Sequence, residues 1–139
     1  MTKTVFSTRL GWAGAGIHEK GICRIVLPRS SQKTVKSELV KKVKGEPAKA
    51  AAARSVDRDM KRTAKLLQQY FSGRRVSFDL PLDLGQYTPF QRAVWKAAAS
   101  IPYGETRSYA WIAKKIGRPK AARAVGQAMG ANPVPIVIP

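Results

Sequence analysis

The chain has 139 residues, 44% of them hydrophobic, which suits one compact domain or two small ones with a real core. Its 26 Lys and Arg against 8 Asp and Glu give a formal charge of +18, an excess that favours a polyanionic partner, nucleic acid first, over a merely solubilising surface. No long uncharged apolar run and no signal-peptide core at Met1-Thr2-Lys3-Thr4 are present, which argues against a membrane partner and for the cytoplasm; one cysteine, Cys23, and one histidine, His18, are too few for an internal disulfide or a metal site.

From the N-terminus, Val5 to Thr8, Trp12 to Ile17 and Ile22 to Leu27 read as strands separated by Gly11 and by the turn-prone Glu19-Lys20-Gly21, hence a small antiparallel sheet. Cys23 lies among apolar neighbours and is expected to be a buried structural residue rather than a reactive one. His18 falls at a turn, where an ordinary exposed imidazole is expected. Val35, Leu39, Val40 and Val43 recur at helical spacing before Gly45 and Pro47. A second helix, after the Ala-rich stretch 48–53, places Met60, Ala64, Leu67 and Phe71 on one face until Gly73. Val76 to Leu80 is expected to return to the sheet, and Pro81 to Tyr87 to link the parts.

Thr88-Pro89-Phe90-Gln91 has the form of a capping box with proline at the first helical position, so a helix is expected through Phe90, Val94, Trp95 and Ala98, ending before Pro102. Thr106 or Ser108 caps the next helix, Tyr109 to Ile116; Gly117 suits its left-handed end, and Pro119 to Met129 is expected as a further helix. Two helices joined by a glycine-containing turn in a basic chain outline a helix-turn-helix. On the second, Ala121, Val125, Ala128 and Met129 share one side. Lys120, Arg123 and Gln127 lie on the other, flanked by Ala122 and Gly126, whose small size would admit a phosphate backbone. That polar face is either a DNA face or simply a solvated one. The expected fold is α/β: an N-terminal antiparallel sheet with helices at 1–80, a linker at 81–87, and a mostly helical, winged-helix-like DNA-binding part at 88–139.

Phe90-Gln91-Arg92-Ala93-Val94-Trp95, Ile101 to Tyr109 (IPYGETRSY), Arg123-Ala124-Val125-Gly126, and Asn132-Pro133 through Ile138-Pro139 resemble, in order and spacing, the O6-alkylguanine-DNA alkyltransferases. The resemblance covers about residues 86–139. It implies a single-turnover repair protein that flips O6-alkylguanine, and O4-alkylthymine, out of double-stranded DNA and transfers the alkyl group irreversibly to its own cysteine, with no cofactor and no obligate protein partner. It further implies that Arg123 fills the space the base vacates and that Tyr109 crowds the 3′ phosphate and can hydrogen-bond the departing guanine. Asn132 shapes the turn before the active-site strand, and Ser108 both caps a helix and meets a phosphate.

The family pattern continues after Ile-Pro with Cys-His-Arg-Val, so the nucleophile, a cysteine or a selenocysteine, is expected directly after Pro139. The chain 1–139 is therefore expected to bind DNA without accepting an alkyl group, since Cys23 belongs to the sheet. Two alternatives remain open: an alkyltransferase-like lesion-binding protein without an acceptor, and a helix-turn-helix regulator that reads base edges through Lys120, Arg123 and Gln127.

Overall fold

A computed structural model gives the fold and describes residues 1–41 and 52–139. Val43 and most of the Ala-rich stretch lie outside the described residues. The chain divides into two compact units, Met1–Asp83 and Leu84–Pro139.

The first unit is built on a three-stranded antiparallel sheet of order β1-β2-β3, with β1 Thr2–Thr8, β2 Gly11–His18 and β3 Gly21–Arg29. The central strand is small and apolar, and Ala13 to Ile17 are buried on both faces. Helix α1, Gln32–Lys41, lies directly on the backbone at Gly14: a Cβ there would stand 2.6 Å from Val35 Cγ1 and 2.9 Å from Leu39 Cδ1. Val26, Val35 and Leu39 form the core of that layer, with Val5 and Trp12 packed at its margin. Val40, which shares the helical spacing of Val35 and Leu39, is exposed. Helix α2, Ala53–Phe71, packs on β1 and β2 and buries Val56, Thr63 and Leu67. Thr63 can enter that apolar face because its hydroxyl donates to Asp59 O at 2.6 Å, leaving no unmet polar group.

Val76–Leu80 forms no strand. The chain meets the sheet later instead: Ile22 N–H donates to Pro81 O and Asp83 N–H to Ile22 O, both at 2.8 Å, making an isolated parallel bridge between Ile22 and Leu82. Gly21 (φ 138°) permits this approach, because a Cβ would collide with Pro81 O. The carboxylate of Asp83 then accepts from His18 Nδ1 at 3.0 Å. His18 is thus a half-buried, paired imidazole, and the expectation of an ordinary exposed one is corrected.

The second unit is helical: α3 Pro89–Ala99, α4 Tyr109–Lys115 and α5 Ala122–Gly130. The capping box of α3 is complete, with Gln91 N–H donating to Thr88 Oγ1 at 3.2 Å and Thr88 N–H to Gln91 Oε1 at 3.1 Å. Trp95, fully buried, ties α3 to α5 by donating from Nε1 to Ala128 O at 2.9 Å. With Val94, Ala98, Ile112, Ala113 and Val125 it makes the core on which the outward faces of α4 and α5 rest. Among the described residues, no helix is long and apolar enough to cross a membrane.

Candidate nucleic-acid interface

Of the two possible caps for α4, Ser108 is the one used: its hydroxyl accepts from Trp111 N–H at 3.0 Å. The helix ends in a tight reversal, with Gly117 at φ 78°, Gly117 N–H donating to Lys114 O at 3.0 Å and Arg118 N–H to Ala113 O at 2.8 Å. These paired bonds satisfy the last carbonyls and fix the exit direction of the chain.

Helix α5 begins three residues later than Pro119 suggests. Ala121 N–H donates to Arg118 O at 3.0 Å, closing a turn in which Pro119 takes the position after Arg118, and the helix starts only at Ala122. Lys120 therefore stands exposed in the turn and not on the helix face, a correction to the helical-wheel placement. Ala122 is half-buried in the first helical turn, while Arg123 and Gln127, one turn apart, are exposed. The apolar side is as expected, with Val125 and Ala128 buried and Ala121 and Met129 half-buried.

Tyr109 is the first residue of α4 and is 51% exposed, yet one edge of its ring is seated on α5. A Cβ on Gly126 would stand 3.1 Å from Tyr109 Cε2 and 3.2 Å from Cδ2. The space left by Gly126 is therefore taken by the tyrosine and is not a berth for a phosphate, as the sequence had suggested. Arg123 lies one helical turn before Gly126, on the adjoining surface. The structure thus brings Tyr109, Gly126 and Arg123 onto one outward face, with Ser108 immediately before Tyr109.

Residues 84–139 contain eight Lys and Arg and a single acidic residue, Glu105, which pairs with Arg107 Nη2 at 3.0 Å. Lys114, Lys115, Arg118, Lys120 and Arg123 are all exposed along α4, the turn and α5. Two cations are steadied by Trp111, with Arg107 Cζ at 5.4 Å and Lys115 Nζ at 4.8 Å from its ring centroid.

Asn132 follows α5 and clamps the loop beyond it. Its Oδ1 accepts from Val134 N–H at 3.0 Å and its Nδ2 donates to Ile138 O at 2.8 Å. Ile138 N–H donates in turn to Val134 O at 3.0 Å. Between these ties Ile136 is held at φ 77°, an unfavourable conformation for a β-branched residue.

Cys23 is wholly buried in β3, where its thiol donates to Gly16 O at 3.3 Å and touches Met1 Sδ at 3.4 Å. Burial, with the charge of Asp83 adding to it, pushes the thiol up from 9.0 to about 11. A protonated, inaccessible thiol is no nucleophile.

Residues 89–139 match the family model for the DNA-binding domain of 6-O-methylguanine DNA methyltransferase. Over 73 residues the chain is 58% identical to the constitutive methylated-DNA–protein-cysteine methyltransferase of Bacillus subtilis; the match takes in 52% of this chain and 44% of that protein. Over 76 residues it is 55% identical to the Methanosarcina barkeri protein of the same name, covering 55% of this chain and 48% of that one. These matches thus span less than half the length of the curated relatives. The crystal structure of Mycobacterium tuberculosis OGT in complex with DNA superposes on 99% of this chain and 74% of its own, with a TM-score of 0.69 and 34% identity. A sheet-and-helix unit followed by a helical unit that matches a DNA-binding-domain model defines the class. Within it, the chain belongs to the methylated-DNA–protein-cysteine methyltransferase family.

Proposed function

We propose that the chain serves direct-reversal repair in the cytoplasm: it binds double-stranded DNA containing O6-alkylguanine, or O4-alkylthymine, through α4 and α5 and turns the damaged base out of the stack. The alkyl group then passes irreversibly to a cysteine, or selenocysteine, expected to follow Ile138-Pro139. The observation that carries this reading is the seating of Tyr109 on Gly126 beside Arg123, on a basic face that no unpaired acid interrupts.

A guanine O6-alkyl carbon within the stack is closed to in-line attack by a side chain, so extrusion must precede transfer, and a lesion that weakens its own pair lowers that cost. Arg123 fills the vacated space, where a planar guanidinium can stack and donate to the orphaned partner base. Tyr109, held at its ring edge, crowds the 3′ phosphate and presents its hydroxyl as a donor to the departing guanine. Ser108, Lys120 and Gln127 contribute phosphate contacts, and Ala122 keeps the entry to α5 low. In the transfer a sulfur–carbon bond forms, the carbon–O6 bond breaks, and guanine takes up a proton; no cofactor is required. Asn132 sets the path of the loop that leads to the acceptor.

Extrusion is tested with 2-aminopurine placed beside O6-methylguanine in a duplex. Binding of 1–139 is expected to raise its fluorescence by unstacking, and Arg123→Ala to abolish the rise. An equal rise with undamaged duplex would contradict the assignment.

A further inference from the structure

The N-terminal unit carries a cationic surface that the helices of the second unit do not account for. Arg54, Arg58, Lys61, Arg62 and Lys65 of α2 are all exposed. At helical spacing they fall within one arc of about 100°, opposite the buried Val56, Thr63 and Leu67. They extend over roughly 16 Å of helix axis. Of these five, only Lys61 has an ion-pair partner among the described residues, Asp57 at 3.0 Å, in an exposed one-turn pair of the kind that competes weakly for a cation. An open cleft flanks the stripe; Lys20, Arg58 and Arg62 line it together with Glu19, Asp59 and Asp79. Like charges one turn apart destabilise a helix, so this alignment does not serve the fold. A straight row of cations complements a polyanion of regular charge spacing, and duplex DNA carries one charge per about 1.7 Å of axis.

We propose that this face of α2 is a second, sequence-indifferent phosphate-binding surface for duplex DNA, located in the N-terminal unit. It rests on the repair reading only for the identity of the polyanion.

The test combines Arg54→Gln, Arg58→Gln, Arg62→Gln and Lys65→Gln in chain 1–139. All four sites are exposed, glutamine keeps helix propensity and the substitutions relieve like-charge repulsion, so a circular-dichroism melt no lower than the parent's is expected. Binding to an unmodified 20-base-pair duplex is measured between 50 and 200 mM salt. The slope of log affinity against log salt is expected to become shallower by about 3 to 4, while the preference for a lesion-bearing duplex stays as in the parent. Should the fourfold variant misfold, the Arg54/Arg58 and Arg62/Lys65 pairs are each expected to remove about half of that change. A slope unchanged within about one overturns the proposal. So does an unchanged slope with lost binding to phosphatidylglycerol vesicles, which assigns the stripe to a lipid surface. A parent chain with no lesion preference would instead sink the repair reading, and the slope comparison would still decide the role of α2.

Discussion

The ring of Tyr109 occupies the space that Gly126 leaves by having no side chain, with the position of an added Cβ only 3.1 Å from Tyr109 Cε2. Gly126 lies inside α5, where glycine costs about 1 kcal/mol relative to alanine. Its value must therefore lie in the contact. Gly126→Ala is expected to leave the melting temperature within a few degrees of the parent, since gained helix propensity offsets a crowded ring edge. It should displace Tyr109 and reduce lesion binding about tenfold or more, a loss of about 1.4 kcal/mol. Lesion binding equal to the parent's would show that the position of Tyr109 is immaterial.

Arg123 is exposed and has no ion-pair partner among the described residues. Arg123→Ala is accordingly expected to change stability by less than about 0.5 kcal/mol. The preference for lesion-bearing over intact duplex should fall towards unity, with the salt slope reduced by about one. Melting curves and paired titrations check both halves.

Asn132 restrains the strained loop through two side-chain bonds, to Val134 N–H and Ile138 O. Asn132→Ala leaves a part-buried carbonyl and amide without those partners, at a cost of about 1 to 3 kcal/mol. Hydrogen exchange at Val134 and Ile138 is expected to accelerate more than exchange in the sheet. Uniform acceleration across the chain would indicate a global fault instead of a released loop.

The thiol of Cys23 gives a prediction of stability against pH. Its folded pKa is raised, from 9.0 to about 11, so the folded state holds the proton more tightly. That contribution is fully present below pH 9 and is lost as pH rises to about 11, by roughly 2 to 3 kcal/mol from a shift of about two units. Cys23→Ala should show a smaller fall in melting temperature over this interval. At pH 8 the native thiol should be inert to a disulfide reagent, and chain 1–139 should take up no label from [³H]methylated DNA. A labelled protein would overturn both the burial argument and the assignment of the acceptor elsewhere.

Local chemistry made much of the second unit legible. Thr88 and Gln91 form the capping box their spacing promises, Ser108 caps α4, and Gly117 adopts the left-handed exit. Cys23 was readable as a buried residue from its apolar neighbours. Pro119 was ambiguous, because its fixed φ suits a first helical turn and a tight turn alike; the Arg118 carbonyl, engaged by Ala121, decided for the turn and moved Lys120 off the helix. Contacts between distant segments were not legible. His18 meets Asp83 across 65 residues, the sheet is joined at Leu82 and not by Val76–Leu80, and Tyr109 is seated on Gly126. No local pattern encodes those encounters, because they depend on how whole elements pack.

The most direct test of the central claim is competition binding of chain 1–139 to duplexes of several sequences, each with or without one O6-methylguanine. Selection by extrusion predicts affinity indifferent to sequence and at least about fivefold tighter for the lesion, close to 1 kcal/mol. A strong preference for one undamaged sequence, with no gain from the lesion, would contradict the account and make α4 and α5 the reading head of a regulator.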